Sequence, residues 1–263
     1  MIEGQTRQLS LVAYLGDCNP DNMLLHAISS LQDTLEKYLP GTFQKYLPQQ
    51  LHSTIMGLEA ARFNSSFISK AFLENQHRQK QIDLLHAFER IKHSDLLPVE
   101  IRFGGFDDQD YSFTSRGVSP FSRSFTIQNN ITAIMGWPFK EDVCMPVLDS
   151  LRRGLTEYGF LHKYHTTVEA YDNDFYLVIG NVSQALEKDE IDHIQQLMRK
   201  EMKTWQNISL KLNPTDLRVA AYKDTKFVDI IPYTLDEAIA DIRTLYAYYP
   251  DYEDVIHSKD WLV

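Results

Sequence analysis

The sequence predicts an α+β fold, with two pseudo-symmetric lobes of mixed or antiparallel sheet and outer helices. Three observations lead there. Short apolar runs bounded by turn residues alternate with amphipathic stretches of helical spacing. The order strand–helix–strand–helix–strands is followed by helix–strand–helix–strands, so the second half repeats the plan of the first. The apolar runs LHSTIMGL (51–58) and FYLVIGNV (175–182) hold equivalent places in the two halves, each with a glycine near its end and a helix after it. No Pro-, Ser- or Gly-rich linker divides the chain. Residues 1–234 therefore read as one bilobal domain, and residues 235–263 as a helical extension with a Tyr-rich tail.

The elements follow in order. Residues 9–16 (LSLVAYLG) are an apolar run closed by a turn signal, the pattern of a buried strand. Residues 21–39 carry Leu24, Leu25, Ile28, Leu31, Leu35 and Leu39 at helical spacing, with Asp21 as N-cap and Pro40-Gly41 as the stop. Residues 51–58 form the second strand. Residues 67–93 are helical, either as one long solvated helix or as two shorter ones on either side of the polar ENQHRQKQ. Residues 98–103 (PVEIRF) are a strand. The stretch that follows, 104–124, is rich in turn formers and too long for a routine connection. Residues 125–137 read as a hairpin turning at Asn129-Asn130.

Residues 141–158 place Val143, Val147, Leu148, Leu151 and Leu155 on one helical stripe. A loop then holds His162, His165 and Thr167. Residues 175–182 are a strand and residues 191–202 lie in a helix. Residues 208–212 and 217–222 are strands, and 227–231 pairs with the latter across Lys223-Asp224-Thr225. Residues 235–249 are helical.

Composition narrows the function. The formal net charge is −10, which disfavours broad binding to long nucleic acid, since that needs a basic face. A small nucleotide or an RNA end in a local pocket is still compatible with it. Two cysteines, Cys18 and Cys144, are too few for a disulfide scaffold or a Cys-rich zinc site, and two free thiols in a reducing compartment are expected. The start, MIEGQTRQLSLVAYLGD, lacks the basic n-region and apolar core of a signal peptide. No run of about 18 apolar residues is present. A cytoplasmic protein without a membrane partner is the expectation. His162 and His165 are three apart but have no cysteine or carboxylate cluster beside them, so no metal is expected. The glycine fingerprints of kinases and dehydrogenases and the nucleophile elbow of α/β-hydrolases are missing.

One tetrapeptide points to chemistry. In a strand, His52 and Thr54 of His52-Ser53-Thr54-Ile55 project together. An imidazole beside a hydroxyl suits a phosphate ester: the hydroxyl donates to a phosphoryl oxygen while the imidazole moves a proton. With the strand–helix–LHSTI order and the closing hairpin LRVAAYKDTKFVDIIPY, residues 9–232 resemble the 2H phosphoesterase superfamily. That superfamily contains bacterial RNA 2′,3′-cyclic phosphodiesterases and 2′–5′ RNA ligase-like proteins. The resemblance implies two lobes, each donating a His-x-Thr/Ser motif to a cleft, and metal-independent acid–base chemistry with no cofactor. His52 would be the acid or base and Thr54 a phosphate ligand.

The second motif departs from that pattern. By position it falls on Phe175 and Leu177, which neither transfer a proton nor bind phosphate. Alternatively His165 and Thr167 of YHTTVEAY supply it ahead of FYLVIGNV, the two segments forming a hairpin around Asp172-Asn173-Asp174. The first register makes the chain a degenerate nucleotide- or phosphate-binding module. The second makes it a phosphodiesterase. Arg116 and Arg123 in the long loop are candidate phosphate clamps, and Tyr222 a candidate platform for a base. Trp137 reads as core or rim packing. A third reading is an interaction protein whose partner binds the Tyr-rich segment 246–252.

Overall fold

The computed structural model describes residues 7–19, 21–109, 111–206 and 208–255. Part of the stretch read for a signal peptide (1–6) and the end of the extension (256–263) lie outside the described residues.

In chain order the elements are β1 (Gln8–Tyr14), α1 (Met23–Tyr38), β2 (Phe43–Lys45), β3 (His52–Gly57), β4 (Ala60–Phe63), β5 (Ser66–Ser69), α2 (Lys70–Gln76), α3 (Leu84–Lys92), β6 (Val99–Phe103) and α4 (Pro120–Arg123). Then come β7 (Phe125–Gln128), β8 (Ile131–Lys140), β9 (Val143–Cys144), α5 (Val147–Gly154), β10 (Phe175–Val182), α6 (Lys188–Lys203), β11 (Ser209–Leu212), β12 (Leu217–Tyr222), β13 (Ile230–Thr234), α7 (Leu235–Ala240), α8 (Ile242–Ala247) and α9 (Tyr252–Val255). The fold is α+β, as expected. Instead of a sheet in each half, one sheet of 11 strands runs through both, in the order β11-β6-β8-β10-β3-β1-β12-β13, with β2 on β10 and β7 and β9 on β8. Its ladders are antiparallel.

The two faces of this sheet differ. One carries the main core, where Leu11, Ala13, Ile55, Ile134 and Leu177 pack against the apolar sides of α1, α3, α5, α6 and α7. The other carries two smaller clusters. Val12, Tyr14, Ala220, Tyr222 and Phe227 form one; Phe106, Phe121, Met135, Trp137 and Phe139 form the other. Loops supply the covering residues on this second face, Phe227 in one cluster and Phe106 in the other.

Several boundaries move for local reasons. Asn22, not Asp21, caps α1, accepting from the Leu24 amide at 2.9 Å. The helical reading of 67–93 loses its first residues to the β4–β5 hairpin, which turns at Asn64-Ser65 with Asn64 at φ 54°. The remainder splits in two: Ser69 caps α2, His77 ends it in the left-handed region, and Asp83 caps α3. The helix expected from residue 141 begins at Val147, because Pro146 precedes it and residues 143–144 pair with β8. The Asn129-Asn130 turn forms as expected, with both residues at positive φ. The closing strand begins at Ile230 and not at Phe227.

The C-terminal helices join the main core through Leu235, Ala238, Leu245 and Tyr249. The tyrosines read as a partner surface turn inward. Tyr249 donates to the Leu58 carbonyl at 2.7 Å, the Tyr246 hydroxyl accepts from the Leu84 amide at 3.2 Å, and Tyr248 meets Tyr233 at 2.8 Å. Tyr252 packs edge-on against Phe63. Tyr249→Phe leaves the buried Leu58 carbonyl without that donor. It is expected to lower the unfolding free energy by about 1–3 kcal/mol in denaturant titration. An unchanged midpoint would mean that this hydroxyl does not hold the tail.

Candidate functional site

The strands β3 and β10 meet at one ladder pair, Ser53 opposite Leu177. Both point to the main core, with Ala13 beside Ser53 and Ile134 beside Leu177. Antiparallel pairing then sets His52 across from Val178 and Thr54 across from Tyr176, all four on the opposite face. This corrects the first of the two expected registers by one residue. Phe175 and Leu177 are fully buried in the core, Phe175 edge-on to Phe103 at 5.7 Å. The side chains that share a face with His52 and Thr54 are Tyr176 and Val178. The alternation misleads because FYLVIGNV is apolar on both faces.

Each of these strands bulges two residues past the seam pair. On β3 the pairing to β1 skips Ile55, and on β10 the pairing to β8 skips Ile179. A bulged residue leaves the ladder, so its carbonyl needs another donor. Arg152 of α5 donates to the Ile55 carbonyl at 3.0 Å, and the Ile179 carbonyl accepts from Gln32 of α1 at 2.8 Å as well as from the Tyr46 amide at 3.0 Å. Both side-chain donors are buried.

His52 is 8 % exposed. Its Nδ1–H donates to the Gln50 carbonyl at 2.8 Å, which leaves Nε2 as the bare acceptor. Burial pulls its pKa down to about 4, so the ring is neutral at pH 7. Phe227 lies flat on it, ring centroids 3.4 Å apart and planes 12° from parallel. Thr54, on the same face, is exposed. Tyr222 is buried, hydrogen-bonded to the Ser10 hydroxyl at 3.1 Å and stacked on Phe227 at 4.8 Å. Its face is thus taken by Phe227 and is not free to stack on a base.

His165 and Thr167 are not on a strand; residues 161–174 are coil and no hairpin forms with β10. His165 is buried, with Nε2–H donating to Asp149 at 2.9 Å, while its Nδ1 has no partner. Thr167 is exposed and its hydroxyl accepts from the Ala170 amide at 3.2 Å. Among the described residues no hydrogen bond or ring contact joins His165 to His52. The displaced second motif is therefore not assembled as a His-x-Thr strand.

The expected phosphate clamps are engaged by carboxylates. Arg123 reaches Asp174 at 3.4 Å, and Arg116 lies 3.7 Å from Asp174 and 3.8 Å from Asp172 with its guanidinium over the Tyr164 ring. Asp174 also accepts from Ser115 at 2.7 Å and from the Trp137 indole at 2.8 Å. Beneath them Arg152, 2 % exposed, donates to the Asp172 and Asp174 carbonyls at 2.8 and 2.9 Å. Asn173 accepts from the Leu148 and Asp149 amides at the start of α5, where Pro146 offers no side-chain cap. A void of about 10 Å³ between Arg116, Trp137, Asp172 and Asp174 has room for about one water. His162 is buried 3.6 Å from Asp172, and burial together with Arg152 drives its pKa far below the ordinary value.

Both cysteines are free and partly buried. Burial raises both thiols, Cys144 to about 11, so neither is a thiolate at pH 7. Among the described residues no group of three or more His, Cys, Asp and Glu is placed to hold a metal ion. None of their helices is long and apolar enough to cross a membrane. Neither Tyr176 nor Phe227 carries a signal in the sequence; both look like ordinary strand residues. Compared with known proteins, the chain matches no family model, no curated protein and no solved structure.

Arg152→Met removes the charge facing Asp172 and strips three buried carbonyls of a donor. It is expected to cost about 3–5 kcal/mol of stability by denaturant unfolding; a loss under 1 kcal/mol would contradict this role. A pH effect follows from the buried imidazoles. His52 and His162 stay neutral when folded but titrate at 6.5 when unfolded. Below that value the unfolded chain binds more protons, so their stabilisation is complete above pH 6.5 and declines on acidification towards the folded values. Each contributes a loss of about 2 kcal/mol between pH 7 and pH 5. His162→Gln is expected to flatten that dependence by this amount, and an unaltered pH profile would contradict it.

Proposed function

We propose that this chain is a 2H-phosphoesterase-like protein that binds a small phosphate ester without cleaving it. The ligand class is a 2′,3′-cyclic phosphate, a small nucleotide or a short oligonucleotide end. The two-lobed reading is supported by the sheet itself. Outward from the seam, β3-β1-β12-β13 on one side answers β10-β8-β6-β11 on the other. The bulges at Ile55 and Ile179 answer each other too, and so do their donors, Arg152 and Gln32, from the helices that precede β10 and β3.

One observation carries the loss of hydrolysis. Under that correspondence His52 answers to Tyr176 and Thr54 to Val178. A reaction that needs a base on the attacking water and an acid on the leaving oxygen has one imidazole here, and Tyr176 sits with its pKa raised by burial. Valine offers no hydroxyl to a phosphoryl oxygen. Binding would use the exposed Thr54 hydroxyl as donor to a phosphoryl oxygen, with the bare Nε2 of His52 accepting from a hydroxyl of the ligand. A phosphodiesterase using His165 is the weaker reading, because that ring is spent on Asp149.

The test is to rebuild the missing motif. The unaltered chain is expected to bind 2′,3′-cyclic AMP in calorimetry and to release no product over hours. Tyr176→His with Val178→Thr is expected to gain hydrolysis, about 10²–10⁴-fold above the unaltered chain, and His52→Ala in that background to abolish it. Turnover by the unaltered chain, or the absence of any binding, would refute the reading.

A further inference from the structure

The loop between β12 and β13 has an unusual build. Of residues 223–229, Phe227 alone is buried, while Lys223, Asp224, Thr225, Lys226 and Val228 are exposed, Val228 at 73 %. Phe227 also stands at φ 57°, in the left-handed region. A bulky residue rarely adopts that conformation, and such strain clusters at ligand clamps and switch segments. The strain serves to bring one ring onto the imidazole of His52 and against Tyr222, at interplanar angles of 12° and 28°.

Polar contacts at the rim hold the loop shut. Asp229 pairs with Arg7 at 2.9 Å and with Lys223 at 2.8 Å. Gln50 donates to the Lys226 carbonyl at 2.9 Å, from the residue whose own carbonyl holds His52 Nδ1. Asp229 and Lys223 are 45 % and 38 % exposed at their side chains, so water and salt compete with that pair. The face is therefore closed over His52 by one side chain on a short, strained, surface-latched loop, and open two residues away at Thr54.

We infer that residues 223–229 form a gate, with Phe227 as a plug that must leave His52 before a phosphate ester can reach it. This rests on the reading of His52 and Thr54 as a phosphate-ester site. In the closed state the plug removes most of the imidazole from water. Opening carries Phe227 outward with Lys223 and Lys226, whose ammonium groups then border the anionic ligand. Apparent affinity is reduced by the fraction of time the gate is closed.

Two variants test the gate by different routes. Phe227→Ala removes the plug, and Asp229→Ala cuts the ionic latch at a half-buried position without touching the ring stack. The first readout is the rate at which diethyl pyrocarbonate modifies His52, located by peptide mass. The second is the affinity for 2′,3′-cyclic AMP. Both variants are expected to speed His52 modification by at least about tenfold and to tighten nucleotide binding by a similar factor, with cooperative thermal unfolding retained. If His52 is as protected in folded Asp229→Ala and Phe227→Ala as in the unaltered chain, Phe227 is core packing and the gate is wrong. Faster modification with no nucleotide bound by any variant upholds the gate and overturns the ligand reading instead.

Discussion

The arrangement of this protein hangs on the seam where β3 and β10 touch through Ser53 and Leu177. A strand presents alternate residues to opposite faces, so this one pair decides what every neighbour on both strands looks at. Ser53 and Leu177 inward means His52, Thr54, Tyr176 and Val178 outward. So short a contact is weak alone. Arg152 strengthens it by reaching the bulged Ile55 carbonyl on β3 and the Asp172 and Asp174 carbonyls just ahead of β10. A buried guanidinium is costly to desolvate unless its donors are used. Here they are spent on the join between the two strands.

The same cluster shapes what the outer face can bind. Asp172 and Asp174 draw Arg116 and Arg123 onto themselves, which leaves those guanidiniums little free charge to offer a phosphate. A net charge of −10 opposes long polyanions in general, and in the proposed site an anionic ligand would rely on a small number of groups. Thr54 stands ready for that. His52, neutral and covered by Phe227, has no donor for it: its Nδ1–H is held by the Gln50 carbonyl and its Nε2 only accepts. Position and protonation thus act together: the burial that lowers the imidazole pKa is the burial that hides it.

Much of the sheet was legible from the chain. LSLVAYLG, LHSTIMGL, FYLVIGNV and the Asn129-Asn130 hairpin all form where their patterns place them. The errors have separate causes. The β4–β5 hairpin is hidden because its second strand, Ser66–Ser69, runs directly into α2, so that residues 67–69 read as the start of that helix. The start of α5 slips because Val143 continues its stripe although Pro146 intervenes. The site is harder still. His52 and Thr54 were legible as a pair on one face. Their counterparts were not, since a strand apolar on both faces gives no cue to which residues face the core. Phe227 was read as a strand residue because only tertiary packing gives it a left-handed backbone and a partner in His52.

The register at the seam is open to direct measurement by disulfide trapping. In a background with Cys18→Ser and Cys144→Ser, Thr54→Cys is combined with Tyr176→Cys or with Leu177→Cys, and each is oxidised under native conditions. Residues facing each other across an antiparallel pair bring their side chains within reach of a disulfide, whereas residues on opposite faces do not. The account predicts rapid, near-complete bridging for Thr54→Cys with Tyr176→Cys and none for Thr54→Cys with Leu177→Cys. Bridging through position 177 instead of 176 would put Phe175 and Leu177 on the face of His52 and contradict the account.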